Sequence, residues 1–456
     1  MLKITTTPMN PKSIVSSSTI ASLTHKLSLS MIMLTALITP AWGIKPEITD
    51  IEDIDDKVTL QIQVTGEESK PIMGLAESDF QLKVLDKKNN KTYQGKQLPF
   101  DWKSPRETTP PDAWIVVLID FSGSMNCSQD LNTKCDAKAV AKGKRKLDAA
   151  INALGTFIKL ASERKGNTYL SIVPFGVEGK NDKPGACDYY PKVTSETLDN
   201  FNLVQDVKLT NFLGSLADKT PCATTNFYQA LKETVKFFKN DKEGRFYPKD
   251  KEGKPLKPQP RLSIILLSDG FDNNSNYQEV QKTLANLQNN KDIVVHTLGY
   301  GLTPQQLGKK YSLGKPAVRG DINNPKLSQA TREQLEKEFV DQKQLAEIAK
   351  LTGGVTEFAG DADEIAEKLE IFLDAIQGRY EISYIQPNVR RGGEYVATVF
   401  TQKVASKSKP YTLDFFGRTL PLETRILMLI CIFLALGLGG VIPFYYWGKW
   451  LKEKQN

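Results

Sequence analysis

Apolar positions alternate with polar ones through residues 47–100, then gather into longer unbroken runs after residue 112. Val58-Thr-Leu60-Gln-Ile62-Gln-Val64 and Phe80-Gln-Leu82-Lys-Val84 repeat every second residue. That is the period of a strand with one face in a core. Turn formers (Thr65 to Pro71, then Asp86 to Asn90) separate these runs, so residues 44–112 read as a small antiparallel β unit. It ends in the proline-bearing stretch Ser104 to Pro111, expected to be a linker.

From 113 to about 376 strand and helix alternate. The buried strand Ala113 to Ile119 leads to a helix over Ala137 to Glu163, with Leu147, Ile151, Leu154 and Ile158 on one face. Further strands are expected at Tyr169 to Val173, Leu262 to Leu267, Ile293 to Gly301 and Gly354 to Phe358. Helices are expected at Thr210 to Lys219, Asn226 to Phe238, Tyr277 to Leu287, Lys343 to Leu351 and Ala362 to Ile376. Residues 302–338 read as a polar insertion with a charged helical end. Continuous apolar strands between helices imply an α/β fold, a doubly wound, mostly parallel sheet covered on both faces. After Ile376 strands return at Tyr380 to Tyr384 and Glu394 to Phe400. Two strand groups too short to stand alone gain a shared core if 377–416 pairs with 44–112, which would insert the α/β domain in a β-sandwich. Two separate small sheets are the alternative.

Both ends point to a membrane. Lys3, Lys12 and Lys26 precede the apolar stretch Leu27 to Thr39, and Ala41 and Gly43 stand at the −3 and −1 positions of a cleavage site. Residues 1–43 thus read as a secretory signal, or alternatively an uncleaved anchor. Ile426 to Trp447 is uncharged and about 33 Å long as a helix, enough to cross a bilayer core. A transmembrane helix over 425–447 is expected, with Phe444 to Trp447 as an interfacial belt. Lys449, Lys452 and Lys454 mark a cytoplasmic tail over 448–456, leaving the body extracytoplasmic.

Composition narrows the chemistry. With 40% hydrophobic and 25% charged residues in 456, the chain is globular and has room for two or three domains. A net charge of +7 without an arginine stripe or stacking aromatics speaks against nucleic acid. The only histidines are His25 and His296, which all but removes histidine triads and multi-histidine zinc sites. Cys431 lies in the membrane segment; Cys127, Cys135, Cys187 and Cys222 lie outside and can form two disulfides. Of three pairings the short loop favours Cys127–Cys135, which leaves Cys187–Cys222. A metal site is the rival, though no C-x-x-C pair occurs. No phosphate-binding glycine motif follows a strand, and Lys142-Gly-Lys-Arg-Lys146 reads as a solvated helix face.

Asp120-Phe-Ser122-Gly-Ser124 follows the first buried strand and sets a carboxylate and two hydroxyls at alternate positions. Such small oxygen donors suit a hard divalent cation. Asp269 follows a second strand, and Thr224-Thr225-Asn226 precedes a helix. Singly, these read as a turn and an N-cap; together they fall at the carboxyl edge of one sheet, where open α/β folds bind ligands.

The order Asp-x-Ser-Gly-Ser, then Thr before Asn-x-x-x-Ala-Leu, then Ser268-Asp-Gly resembles the von Willebrand factor A domain with its metal-ion-dependent adhesion site, over residues 113–376. Val173-Pro-Phe175 and Leu298-Gly-Tyr-Gly301 share the likeness, and Lys70 to Leu75 with Ser78 to Phe80 resembles the β segment of some bacterial exported members. The resemblance implies Mg²⁺ (or Mn²⁺ or Ca²⁺) held by Ser122 and Ser124, by Thr225 in the ligand-bound state, and by Asp120 and Asp269 directly or through water. It implies a protein partner whose Asp or Glu completes the shell. The chain departs from the family in having Ala223-Thr224-Thr225 where glycine usually precedes the threonine, so Thr224 is a substitute ligand to consider. The cysteine pairs would rim this site. The expected function is therefore that of a membrane-anchored, non-enzymatic binding module for adhesion or envelope assembly. The alternatives are a metal-dependent hydrolase, and partner binding through the β-sandwich or the 302–338 insertion beside a vestigial metal site.

Overall fold

The computed structural model describes residues 43–135, 140–179, 187, 189–242, 244–390, 392–413 and 422–455. The signal segment expected over 1–43 lies, apart from its last residue, outside them. Lys45–Ile54 (β1) and Lys57–Thr65 (β2) form a hairpin; Phe80–Asp86 (β3), Lys91–Gln94 (β4) and Phe100–Lys103 (β5) follow. In β2 every second residue is buried, as its period predicts. Phe100–Lys103 just ahead of the linker is itself a strand, and no alternation in so short a segment announces it.

The central sheet contains Ala113–Asp120 (β6), Thr168–Phe175 (β7), Asn202–Leu203 (β8), Arg261–Ser268 (β9), Ile293–Tyr300 (β10) and Thr356–Ala359 (β11). Its order is β11-β10-β9-β6-β7-β8, with only the β7–β8 pair antiparallel. All eight residues of β6 are buried, because helices cover both faces. Alternate residues feed opposite cores. Ile115, Val117 and Ile119 pack with Lys146–Ser162 (α1), Val207–Ala217 (α2) and, past residue 361, Ala362–Gln377; Val116 and Leu118 pack with Phe227–Lys239 (α3) and Tyr277–Asn289 (α4). From β6 the chain moves to one side through β7 and returns on the other through β9. The order therefore reverses between β6 and β9, which opens a crevice at their carboxyl ends.

The 302–338 insertion is built rather than loose. Pro304–Lys310 (α5) and Gln329–Glu338 (α6) enclose an apolar cluster with Phe271, Leu307, Ile322, Leu335 and Phe339. Gln342–Thr352 (α7) ends at Gly353 with a φ of 78°, a left-handed cap that suits glycine, and Ala362–Gln377 (α8) follows.

Tyr380–Ile385 (β12), Glu394–Thr401 (β13), Val404–Ala405 (β14) and Lys409–Thr412 (β15) complete two antiparallel sheets. One runs β1-β2-β12-β5 and the other β14-β13-β3-β4, with β15 on β13. Strands on either side of the α/β segment thus pair directly, Tyr380 opposite Ile62 and Val399 opposite Leu82.

The C-terminal segment is helical over Leu422–Leu436 (α9) and Ile442–Gln455 (α10), with a wider π turn at Gly437–Val441. Pro443 lacks an N–H and crowds the carbonyl four residues back; the π turn accommodates both. Ile426–Lys454 is long and apolar enough to cross a membrane, and large apolar side chains such as Leu429, Phe433 and Leu438 are exposed along it.

Candidate metal centre

Asp120 closes β6 and Asp269 follows β9, so the two carboxylates flank the crevice where the strand order reverses. Both are fully buried. Asp120 Oδ1 accepts the Ser122 backbone N–H at 2.9 Å, which curls the chain over the strand end. Its Oδ2 accepts from Ser268 Oγ at 2.5 Å. The hydroxyls of Ser122 and Ser124 lie 2.9 Å apart, and Ser124 Oγ donates to Asp269 Oδ1 at 2.7 Å.

The third segment is fixed by backbone bonds. Gly123 N–H donates to Ala223 C=O at 3.0 Å and Ala223 N–H to Phe121 C=O at 3.2 Å. Thr224 is tied through its backbone to Val177, whereas Thr225 turns inward and is buried. A methyl group at Gly270 would sit 3.7 Å from Thr225 Oγ1 and 4.0 Å from Ser124 Oγ. Thr225, not Thr224, therefore shares the crevice with the serines. Thr225 does not act as the helix cap either: Asn226 holds that position, and the carboxylate of Asp272 accepts the Tyr228 N–H at 3.0 Å. Gly176 matters because a Cβ there would lie 2.5 Å from Ala223 Cβ, so glycine lets the two loops close on each other.

All five residues, Asp120, Ser122, Ser124, Thr225 and Asp269, thus meet at one edge. Among the described residues no group of three or more His, Cys, Asp or Glu is placed to hold a metal; this crevice brings two carboxylates together with hydroxyls. Two carboxylates and three hydroxyls form an all-oxygen donor set that fits a hard divalent ion. The electrostatics fit as well. Burial, and next the Asp269 charge, push Asp120 up to about 7, the response of a carboxylate that lacks a counter-cation.

One cation is already present. Lys146 Nζ lies 2.8 Å from Asp269 Oδ2, and the lysine is only 3% exposed. This corrects the reading of Lys142 to Lys146 as a solvated face at its last two residues; Lys142 and Lys144 are exposed as expected. Arg145 is buried too, donating to both Asp148 oxygens (2.6 and 2.9 Å) and to the Ala217 and Lys219 carbonyls. The expected helix over Ala137 to Glu163 begins at Lys146; residues 140–145 lead into it as turn and extended chain, while 136–139 lie outside the described residues. Sequence reasoning missed Lys146 and Ser268. No local signal marked Lys146, because the helix expected from Ala137 placed it in mid-helix and its N-terminal position emerges only in the fold.

Both cysteine pairs stand at bonding distance, Cys127–Cys135 with Cα atoms 5.0 Å apart and Cys187–Cys222 at 5.6 Å. The insertion grips the first loop. Cys135 N–H donates to Gln334 Oε1 and Glu338 Oε1, each at 3.1 Å, while Lys310 Nζ donates to the Leu131 and Thr133 carbonyls, each at 2.8 Å.

Fold and site together define a doubly wound α/β protein with an oxygen-lined crevice at its switch point. No protein-family model matches the chain, and no characterised protein matches it in sequence. Among solved structures it is similar to a von Willebrand factor type A protein from Catenulispora acidiphila, with 10% identity over 81% of this chain and 72% of that one and a TM-score of 0.36. It is also similar to the SpRpn10 VWA domain, with 9% identity, 57% of this chain, 93% of that one and a TM-score of 0.30. Proximal thread matrix protein 1 from the mussel byssus, with a zinc-occupied MIDAS motif, matches at 14% identity and a TM-score of 0.27. This chain spans 48% of that protein and 59% of its own length is covered.

Proposed function

We propose that residues 113–376 form a von Willebrand factor A-type domain with a metal-ion-dependent adhesion site, and that the chain is a membrane-anchored extracytoplasmic binding protein. The observation that carries this reading is the meeting of Asp120, Ser122, Ser124, Thr225 and Asp269 at the β6–β9 switch point. A divalent ion there, Mg²⁺ first and Mn²⁺ or Ca²⁺ as substitutes, would supply a Lewis-acidic position for a partner's Asp or Glu carboxylate. Ser122, Ser124 and Thr225 leave such an ion only partly neutralised, because hydroxyls bring no charge. Ser268 and Lys146 hold the outer oxygens of the two carboxylates and fix their orientation.

Binding suits these residues better than hydrolysis. Asp120 and Asp269 are both engaged, and His296 is buried, its Nδ1 accepting the Val355 N–H at 3.2 Å. Among the described residues none stands ready at the crevice as a general base. The disulfide-distance pairs fit an oxidising compartment, and the apolar span Ile426–Lys454 fits an anchor with a cytoplasmic C-terminus. In this reading 44–112 and 377–416 form one β-sandwich that carries the α/β domain, and the insertion and disulfide loops shape the rim that a partner meets.

The test is affinity capture from native membranes with the full chain in Mg²⁺, in chelator, and with Asp120→Ala. Capture of a specific partner only by the wild type in Mg²⁺ is expected. A partner retained in chelator and by Asp120→Ala refutes metal-bridged binding and favours the sandwich or the insertion as the contact surface.

A further inference from the structure

At the amino-terminal edge of the central sheet, opposite the Asp120 crevice, a cavity of about 490 Å³ lies between the start of β9, the end of α8 and the β1–β2 hairpin. Arg261, Arg379, Lys257, Gln61, His296 and Asp50 are among its lining residues. Arg379 is nine-tenths buried; its Nη1 donates to the Ala375 and Gly378 carbonyls at 3.1 and 2.8 Å, and its Nε has no partner. Arg261 donates to the Ile376 carbonyl. Arg145, Arg164, Arg245 and Arg319 each pair with a carboxylate; among the described residues neither Arg261 nor Arg379 does.

That arrangement leaves charge uncompensated. The carbonyls at the end of α8 orient both guanidiniums but offer only about half a negative charge, against two full positive ones. Asp50 and Glu47 act on them from beyond ion-pair reach. Asp292, also on the lining, is taken by Lys239 at 2.7 Å and by the Tyr247 hydroxyl at 2.5 Å. Burial, and next the Arg261 charge, hold Arg379 well below the ordinary arginine range, and burial brings Arg261 to about 10. A buried cation without a counter-charge is costly. The same lining carries an orphan acceptor, since Gln61 Oε1 is buried without a partner while its amide nitrogen donates to Glu381 at 3.1 Å.

We propose that this cavity is an anion site for a phosphate group, free or at the end of a small phosphorylated molecule. Phosphate oxygens match the planar guanidinium fork, and the proton a phosphate monoanion or hydrogenphosphate carries can be donated to Gln61 Oε1. The site stands apart from the metal crevice and does not depend on it.

The test is equilibrium dialysis of the full chain in detergent micelles against labelled inorganic phosphate, with chloride holding ionic strength constant. Saturable binding of one phosphate per chain is expected. Sulfate, which carries no proton at neutral pH, should compete at least ten-fold less well. Glycerol 3-phosphate competing better than phosphate itself would identify a phosphorylated small molecule as the ligand; competing less well would identify free phosphate. Arg379→Gln and Arg261→Gln should each weaken binding at least ten-fold. Arg379→Gln should also melt no lower than wild type in phosphate-free buffer, because it removes an uncompensated buried charge. Absence of saturable binding by the wild type, or binding kept by both variants, overturns the site.

Discussion

Lys146 offers the sharpest test of the proposed metal centre. Its ammonium lies 2.8 Å from Asp269 Oδ2 and both groups are buried. At an effective dielectric of about 20 such a pair attracts by about 6 kcal/mol, much of it offset by desolvation. Lys146→Met keeps most of the aliphatic stem and removes only the charge. Without divalent ions it leaves two buried carboxylates, Asp120 and Asp269, with no cation between them. Removing one partner of a buried pair costs roughly 3–5 kcal/mol, so the urea midpoint in chelator should fall clearly. In divalent ion the sign reverses. The ammonium holds the outer oxygen of Asp269 and stands as a positive charge beside the proposed ion, so its loss favours the ion by on the order of 3 kcal/mol, about a hundred-fold in affinity. Manganese titration followed by electron paramagnetic resonance, with urea denaturation in chelator and in excess Mg²⁺, reads both effects. Unchanged or weaker Mn²⁺ binding by Lys146→Met would refute the view that lysine and metal share the site. An unchanged midpoint in chelator would refute the view that Asp269 needs a counter-charge there.

Three further outcomes follow from the packing. Burial, and next the Arg379 charge, lower His296 to about 3, so the folded chain keeps it neutral where the unfolded chain takes up a proton. Its stabilising contribution is complete above about pH 6.5 and shrinks by about 1.4 kcal/mol per unit as pH falls toward 3; His296→Asn, whose side-chain oxygen can still accept from Val355, should lose that part of the slope in urea midpoints measured against pH. Arg145→Ala leaves the Asp148 carboxylate without its guanidinium and two carbonyls without their donor, an expected loss of roughly 3–5 kcal/mol by denaturation, which Arg145→Lys should not restore because the bidentate fork is gone. Gly176→Ala drives a Cβ to 2.5 Å from Ala223 and should push the Thr225 segment away from Ser124, lowering Mn²⁺ affinity at least ten-fold while secondary structure by circular dichroism is kept.

Local pattern determined a good deal of this protein. The unbroken, β-branched run Ala113 to Ile119 read as a strand covered on both faces, and the alternation at Val58 to Val64 as a half-buried one. The oxygen-bearing residues stood out because Asp120 and Asp269 close such runs, and strand ends are local events. Pairing is not local. That β2 joins β12, more than three hundred residues on, and that β5 joins it from the other side were decided by which apolar faces had no other cover. The same holds for charge. Along the chain Lys142 to Lys146 is a basic cluster that water would solvate; in the fold, α1 starts behind the Asp120 turn and carries Lys146 to Asp269 and Arg145 to the Ala217 and Lys219 carbonyls. Arg261 and Arg379 are likewise unremarkable in sequence and come together only because β9 begins where α8 ends. Burial and counter-charge depend on neighbours distant in the chain. The sequence alone marked the residues proposed to hold an ion, and the tertiary structure decided which charges already stand beside them.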